Sequence, residues 1–215
     1  MKLLTYKYKD KESIGVLSQD EKVVCPIDEA GLNYATMNEL IEHLTSLEKK
    51  KLMVLSEKNE GIALEKVEKC APIPRPKQDV ICLGINYMAH AEESARYKKE
   101  AFGGERPYAV YFSKRVNEAV ADGGEIPSYK ALMESLDYEV ELAVIIGKDT
   151  KNVSKEEAFE YVFGYTIMND VSAREVQTRH KQWYFGKSLD GFTPMGPWIV
   201  TEDQFERPPV LPIRS

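Results

Sequence analysis

The pattern of apolar and polar residues along the chain predicts a fold built mostly from short β-strands, with a small helical region near the N-terminus. Apolar runs bounded by polar turns indicate strands in the first part of the chain at residues 3–6, 13–17 and 23–26. Thr36, followed three residues later by Glu39, is a helix start signal, and a second helical stretch covers residues 47–55. The N-terminal part is therefore expected to be a small α+β unit.

A proline-rich segment then interrupts this pattern. Residues 72–76 contain three prolines, which cannot continue a helix or a central strand. We therefore expect a linker here, between a small N-terminal domain over residues 1–71 and a second domain over residues 72–215. Further apolar runs predict strands in the second domain at residues 80–87, 108–112, 136–146 and 163–170. A capping box at residues 154–157 predicts a helix, and the whole chain is expected to be α+β and mainly β.

The most informative stretch is an acidic strand at residues 137–147, which begins with carboxylates and ends as an apolar run rich in β-branched residues. That composition predicts a buried strand, on which Asp137, Glu139 and Glu141 face the same side because side chains alternate. Buried carboxylates require a positive charge nearby. A divalent cation such as Mg²⁺, Mn²⁺ or Ca²⁺ suits oxygen ligands, whereas a solvated acidic face is the alternative.

Polar side chains with complementary chemistry follow later strands. Asp170 ends the strand over residues 163–170 and is either a third carboxylate ligand or the N-cap of a following helix. Arg174 and Gln177 share a helix face, which suits a ligand carboxylate or carbonyl, although a surface pair has the same spacing. Lys187 lacks the glycine spacing of a phosphate-binding loop, so we expect a fixed cation near the carboxylates.

A histidine–glutamate pair lies in the predicted helix over residues 88–97, directly after the strand over residues 80–87. His90 and Glu93 are three residues apart and therefore share a helix face. A carboxylate beside an imidazole fixes the tautomer of the ring and raises its basicity, which makes His90 a candidate general base. A surface ion pair on an amphipathic helix is the alternative.

Composition excludes several classes of protein. The 215 residues are 43% hydrophobic and carry a formal net charge of −6 without a basic patch, which argues against a nucleic-acid partner. The three cysteines have no metal-ligand spacing and are expected to be reduced thiols. No apolar run reaches the ~18 residues of a membrane span, and the N-terminus lacks the features of a signal peptide. We therefore expect a soluble, cytoplasmic protein without a membrane partner.

Four motifs together resemble the fumarylacetoacetate hydrolase superfamily, whose members include acylpyruvases and 2-hydroxyhepta-2,4-diene-1,7-dioate isomerases. The motifs occur in the family's order at residues 84–90, 136–142, 169–174 and 186–192. The resemblance covers residues 72–215 and implies a mixed β-sandwich or β-roll catalytic domain. Residues 1–71 fit the variable N-terminal domain of many members.

The resemblance also implies roles for individual residues. The metal ligands for Mg²⁺ or Mn²⁺, with Ca²⁺ as a possible substitute, are Glu139, Glu141 and Asp170. Asp137 is not expected to be a ligand. The implied catalytic residues are His90, Glu93 and Lys187, and the implied substrate-binding residues are Tyr87, Arg174 and Gln177.

By the same resemblance, the expected function is metal-dependent hydrolysis of a C–C bond in a 2-oxo acid of the acylpyruvate type, through a metal-bound enolate. His90, oriented by Glu93, would activate water. One alternative is isomerisation or decarboxylation of a related 2-oxo acid, such as oxaloacetate or 2-hydroxyhepta-2,4-dienedioate. The other is an inactive, truncated paralogue that binds a metal or a dicarboxylate. A homodimer is expected.

The chain departs from the family pattern in two respects. Residues 82–87 contain no acid, although fumarylacetoacetases proper carry an additional acidic ligand there, so fumarylacetoacetate itself is a disfavoured substrate. Family members also continue into further strands and a G-T-P-x-G loop beyond the equivalent of Ile213. The catalytic domain is therefore expected to be C-terminally incomplete in this sequence.

Overall fold

The computed structural model describes residues 1–84, 86 and 108–214, and its helices and strands belong to that part of the chain. The strands are β1 (Lys2–Tyr8), β2 (Lys11–Leu17), β3 (Val23–Pro26), β4 (Ile62–Ala63), β5 (Glu68–Lys69), β6 (Val80–Leu83), β7 (Tyr111–Lys114), β8 (Val140–Ile146), β9 (Val162–Asn169) and β10 (Met195–Thr201). The α-helices are α1 (Met37–His43), α2 (Ser46–Glu57), α3 (Arg174–Arg179) and α4 (Tyr184–Lys187). Short 3-10 turns lie at Ile27–Ala30, Leu64–Lys66, Ala158–Tyr161 and Glu202–Gln204.

Most of the strands form one antiparallel sheet. Its order is β4-β3-β2-β1-β10-β9-β8, and β5 pairs separately with β1. Strands β6 and β7 pair antiparallel with each other in a second, two-stranded sheet. The expectation of a mainly β architecture is therefore confirmed, and β8, the predicted acidic strand, lies at one end of the larger sheet.

The larger sheet contains strands from both sides of the proline-rich segment at residues 72–76. Strand β1 pairs with β10 as well as with β2, and Leu3 lies opposite Ile199. Those two residues belong to one hydrophobic cluster that also contains Leu40, Leu52 and Met168. Burial of this shared apolar surface is what holds the N-terminal strands against the later ones. The division of the chain at residues 71 and 72 stays a prediction.

The capping signal at Thr36 correctly predicted the start of α1. Thr36 precedes α1 and its hydroxyl accepts a hydrogen bond from the backbone N–H of Glu39 at 3.2 Å. The predicted helix after residues 154–157 is wrong. Glu157 does donate its N–H to the Ser154 hydroxyl at 3.3 Å, but only the 3-10 turn Ala158–Tyr161 follows. Strand β9 begins at Val162, where β-branched and aromatic residues favour a strand, so too few residues remain for a helix.

Strand β8 shows the predicted alternation but is not buried on both faces. Ile145 is 9% exposed, whereas its neighbours Val144 and Ile146 are 51% and 53% exposed. Glu141 lies opposite the buried Met168 and therefore on the core side of the sheet. The expectation of a buried strand is corrected to an end strand with one face against the core, because β8 is the last strand in the order of the described sheet.

Two exclusions made from composition can be compared with the structure. Cys25, Cys70 and Cys82 are buried and form no disulfide, as expected for reduced thiols. Among the helices in the described part of the chain, none is long and apolar enough to cross a membrane.

Candidate functional site

The ends of β8 and β9 place two predicted metal ligands side by side. Val140 lies opposite Asn169, so Glu139 and Asp170 meet just beyond the paired residues. The backbone N–H of Asp170 donates to the carbonyl of Glu139 at 2.8 Å, and the N–H of Glu139 donates to Asn169 Oδ1 at 3.1 Å. Helix α3 begins at Arg174 after the N-cap Ala173, so the alternative that Asp170 is an N-cap is wrong.

One lysine joins these two carboxylates. Lys187 Nζ lies 2.6 Å from Glu139 Oε2 and 2.8 Å from Asp170 Oδ2. The predicted position of Lys187 as a cation near the carboxylates is therefore confirmed. The lysine reaches this position from the end of α4, which packs closely on α3 at Gly186: the backbone N–H of Ala173 donates to the Gly186 carbonyl at 2.8 Å.

A second lysine, which sequence reasoning did not select, holds the other oxygen of Asp170. Lys114 ends β7 and is 0% exposed, and its Nζ lies 2.6 Å from Asp170 Oδ1. It also donates to the carbonyl of Val171 at 3.2 Å. A lysine two residues after the apolar run of residues 108–112 was the available sequence signal, but a lysine at a strand end is more often solvent-exposed.

Arg174 pairs with acids at the start of the acidic strand. Its Nε donates to Asp137 Oδ2 at 2.8 Å, and its Nη2 forms a short ion pair with Glu139 Oε1. Arg174 Nη1 also donates to Gln177 Oε1 at 3.1 Å, which confirms that these two residues share a face. Asp137 is thus neutralised by Arg174, and the substrate-binding roles of Arg174 and Gln177 stay predictions.

The third predicted ligand, Glu141, contacts a residue of the first family motif. Glu141 Oε2 accepts a hydrogen bond from Asn86 Nδ2 at 3.2 Å. Asn86 belongs to a motif that the sequence identified, but no role was predicted for it. The Cys82 thiol is nearby: burial above all, and the negative charges of Asp170 and Glu141, raise its pKa to about 12.

The lysines and the arginine hold the site in its charged form. Burial alone would raise the pKa of Asp170, but Lys114 and Lys187 outweigh burial and lower it below its usual value. Burial likewise lowers the pKa of Lys114, which Asp170 opposes. For Arg174, burial acts to lower the pKa, but Glu139 and Asp137 raise it above its usual value. Asp170 is therefore ionised at neutral pH although it is 3% exposed.

The chemistry of the predicted metal ligands suits an oxygen-preferring cation, but the described side chains do not converge on one. Across residues 1–84, 86 and 108–214, no three His, Cys, Asp or Glu side chains converge closely enough to hold a metal ion. The Lys187 ammonium instead takes the position between Glu139 and Asp170, so the fold already accommodates a positive charge there. With Glu141 on the same face of the strand, the donors are carboxylate oxygens, the set that Mg²⁺ and Mn²⁺ prefer.

The remaining predicted site residues fall outside the part of the chain that the structure describes. These are the catalytic pair His90 and Glu93 and the substrate-binding Tyr87. Asn86, immediately before Tyr87, is the described residue that connects this segment to the carboxylates.

Comparison with known proteins decides the family. The family model for the fumarylacetoacetate (FAA) hydrolase C-terminal domain matches residues 79–215. The chain belongs to the fumarylacetoacetate hydrolase family. The resemblance inferred from four motifs is therefore confirmed. A curated relative is the oxaloacetate tautomerase YisK of Bacillus subtilis (strain 168), which is 42% identical over 153 residues. The match covers 71% of this chain and 49% of that protein, so the chain spans about half the length of that relative.

Solved structures of the fumarylacetoacetate hydrolase family share the fold. The fumarylacetoacetate hydrolase of the psychrophile Exiguobacterium antarcticum superimposes with a TM-score of 0.74 at 33% identity, covering 96% of this chain and 68% of that one. The maleylpyruvate hydrolase of Sphingobium sp. SYK-6 gives a TM-score of 0.68 at 26% identity, covering 94% and 68%. Structural similarity therefore extends over nearly the whole chain, including the N-terminal strands.

Proposed function

We propose that the protein is a divalent-metal-dependent enzyme that hydrolyses a C–C bond in a 2-oxo acid of the acylpyruvate type. The observation that carries this proposal is the pair Glu139 and Asp170, held at adjacent strand ends with a positive charge between them. Family membership supports it, because enzymes of this family generally use divalent metals. One structural relative is a maleylpyruvate hydrolase, whose name states a hydrolytic reaction.

The residues that would hold Mg²⁺ or Mn²⁺ are Glu139, Glu141 and Asp170. A bound divalent cation would supply Lewis-acid polarisation of the substrate's carboxylate and 2-oxo oxygens. Arg174 already presents a guanidinium beside the Gln177 amide at 3.1 Å, a combination suited to a substrate carboxylate or oxo group. Lys187 would add a second positive charge where negative charge develops during the reaction.

The proton transfers are assigned to the histidine–glutamate pair. His90 would take a proton from water as general base, and Glu93, three residues later, would hold the imidazole in the required tautomer. This assignment rests on sequence spacing and on the family motif.

Isomerisation is the second candidate function, and one observation favours it. The curated relative at 42% identity is an oxaloacetate tautomerase. Tautomerisation moves a proton between carbon and oxygen of a 2-oxo acid and requires no attack by water. The same carboxylates, lysine and arginine would serve both reactions, so the two differ in what the general base deprotonates.

Product analysis separates the candidates. The 215-residue chain is incubated with acetylpyruvate and, separately, with the enol form of oxaloacetate, with Mg²⁺ or with EDTA. Hydrolysis yields two acids, decarboxylation yields pyruvate and CO₂, and tautomerisation changes only the keto–enol ratio. We expect Mg²⁺-dependent formation of acetate and pyruvate from acetylpyruvate.

A ligand variant provides the control for this experiment. Glu141→Ala is expected to abolish the Mg²⁺-dependent part of turnover, because Glu141 is proposed as a metal ligand. Retained turnover in Glu141→Ala, or equal rates with Mg²⁺ and with EDTA, would contradict the proposal. Metal binding without turnover of either substrate would instead favour a non-catalytic binding protein. The homodimer and the cytoplasmic location stay predictions.

A further inference from the structure

Two buried lysines contact Asp170, and they differ in what else they bind. Lys114 Nζ donates to Asp170 Oδ1 at 2.6 Å and to the carbonyl of Val171 at 3.2 Å. Lys187 Nζ donates to Asp170 Oδ2 at 2.8 Å and to Glu139 Oε2 at 2.6 Å. Lys114 thus has one proposed metal ligand and one backbone group as partners, whereas both carboxylate partners of Lys187 are proposed ligands.

A metal ion bound by the carboxylates of Glu139 and Asp170 would therefore affect the two lysines unequally. Lys187 would lose both carboxylates at once, while the contact of Lys114 with Oδ1 and Val171 can persist. Lys187 has another stabilising neighbour, because its Nζ lies 5.1 Å from the centre of the Phe112 ring. It also extends from the four-residue helix α4, whereas Lys114 lies opposite Val80 in the β6–β7 ladder.

We propose that Lys114 is a positioning residue that orients Asp170 by holding its Oδ1, and that Lys187 is the cation that yields its place to the metal. The metal part of this inference rests on the proposed function. Lys114 holds Oδ1 in both states of the site and so presents Oδ2 to whichever cation occupies the centre. Removing a partner from a buried ion pair leaves an uncompensated charge, which is strongly destabilising.

A double-mutant cycle tests the partnership of Lys114 with Asp170 without any metal. Lys114→Met, Asp170→Asn and the double variant are compared with the parent by thermal unfolding in EDTA. Each single variant is expected to lower the Tm by at least about 6 °C, because each breaks the buried Lys114–Asp170 ion pair and leaves the remaining charge with one partner fewer. The double variant is expected to recover most of that loss, because neither charge remains.

Mn²⁺ affinity, measured by isothermal titration calorimetry, tests the positioning role. Lys114→Met is expected to bind Mn²⁺ at least about tenfold more weakly than the parent, as for other residues that orient a metal ligand. Lys187→Met is the matched control, since it removes the other lysine on the same carboxylate. It is expected to bind Mn²⁺ at least as tightly as the parent, because a competing cation has been removed.

The outcomes separate this inference from the proposed function. Equal or tighter Mn²⁺ binding by Lys114→Met would overturn the positioning role. If Lys114→Met does not fold, recovery of folding in the double variant supports the partnership, and failure to recover overturns it. If the parent binds no Mn²⁺, the metal requirement of the proposed function fails, and the stability cycle still decides whether Lys114 serves Asp170.

Discussion

Asp170→Asn is expected to lower Mg²⁺-dependent turnover of the 2-oxo acid by at least about a hundredfold. The amide keeps the shape of the side chain but removes the negative charge on which Lys114 and Lys187 converge. It also removes one of the proposed metal ligands, so both cation binding and the position of Lys187 should suffer. The measurement is kcat/KM at saturating Mg²⁺, on protein shown by circular dichroism to be folded at the assay temperature.

The control for this variant is Asp149→Asn, which makes the same chemical change at an exposed position after β8. Its kcat/KM should equal that of the parent within error. If Asp170→Asn also retained parental kcat/KM, Asp170 would be neither a metal ligand nor an anchor for Lys187 in turnover.

Gly186→Ala is expected to destabilise the fold by about 1–3 kcal/mol and to reduce turnover as well, because it overpacks the contact between α3 and α4. A Cβ at this position would lie 2.6 Å from the backbone nitrogen of Gln177 and 2.8 Å from its Cα, so the two helices must separate. Lys187 is the next residue and would move away from Glu139 and Asp170. Urea unfolding measures the loss of stability, and Mg²⁺-dependent kcat/KM measures the effect on the site.

A control variant at a glycine in the N-terminal part of the chain separates the loss of stability from the effect on turnover. Gly31 has a left-handed φ of 75° and no atom within 4 Å of a built Cβ. Gly31→Ala should therefore cost about 1 kcal/mol of stability through backbone strain while leaving turnover unchanged. A loss of turnover in Gly186→Ala no greater than in Gly31→Ala would show that the α3–α4 contact does not position Lys187.

Local patterns predicted much of the fold. Apolar runs bounded by polar turns predicted β1, β2 and β3, and the capping signal at Thr36 predicted the start of α1. The sequence-based predictions failed where contacts between distant parts of the chain determine the local structure. A capping box at Ser154 is compatible with a helix or with a single turn, and the start of β9 selected the turn. Likewise, an apolar strand sequence does not reveal that β8 lies at one end of the described sheet, since that depends on distant pairing.

The candidate site was predictable to the extent that its residues lie in motifs. The local sequence left Asp170 open as a ligand or an N-cap, and it was the resemblance to the family that grouped it with Glu139. The backbones of these two residues are hydrogen-bonded at 2.8 Å. Lys114 was not predicted, because its importance arises from β7 packing against the end of β9. The sequence shows only a lysine after an apolar run, whereas the fold buries it completely against a carboxylate.

The most direct test of the proposed metal site is a titration of the chain with Mn²⁺, followed by the electron paramagnetic resonance signal of free Mn²⁺. Saturable binding of about one Mn²⁺ per chain, reversed by excess Mg²⁺, is the predicted result, since both ions prefer the same oxygen ligands. A variant with Glu139 and Glu141 changed to glutamine and Asp170 changed to asparagine should not bind. Absence of saturable binding to the parent, or undiminished binding to that variant, would contradict a metal centre at these three carboxylates.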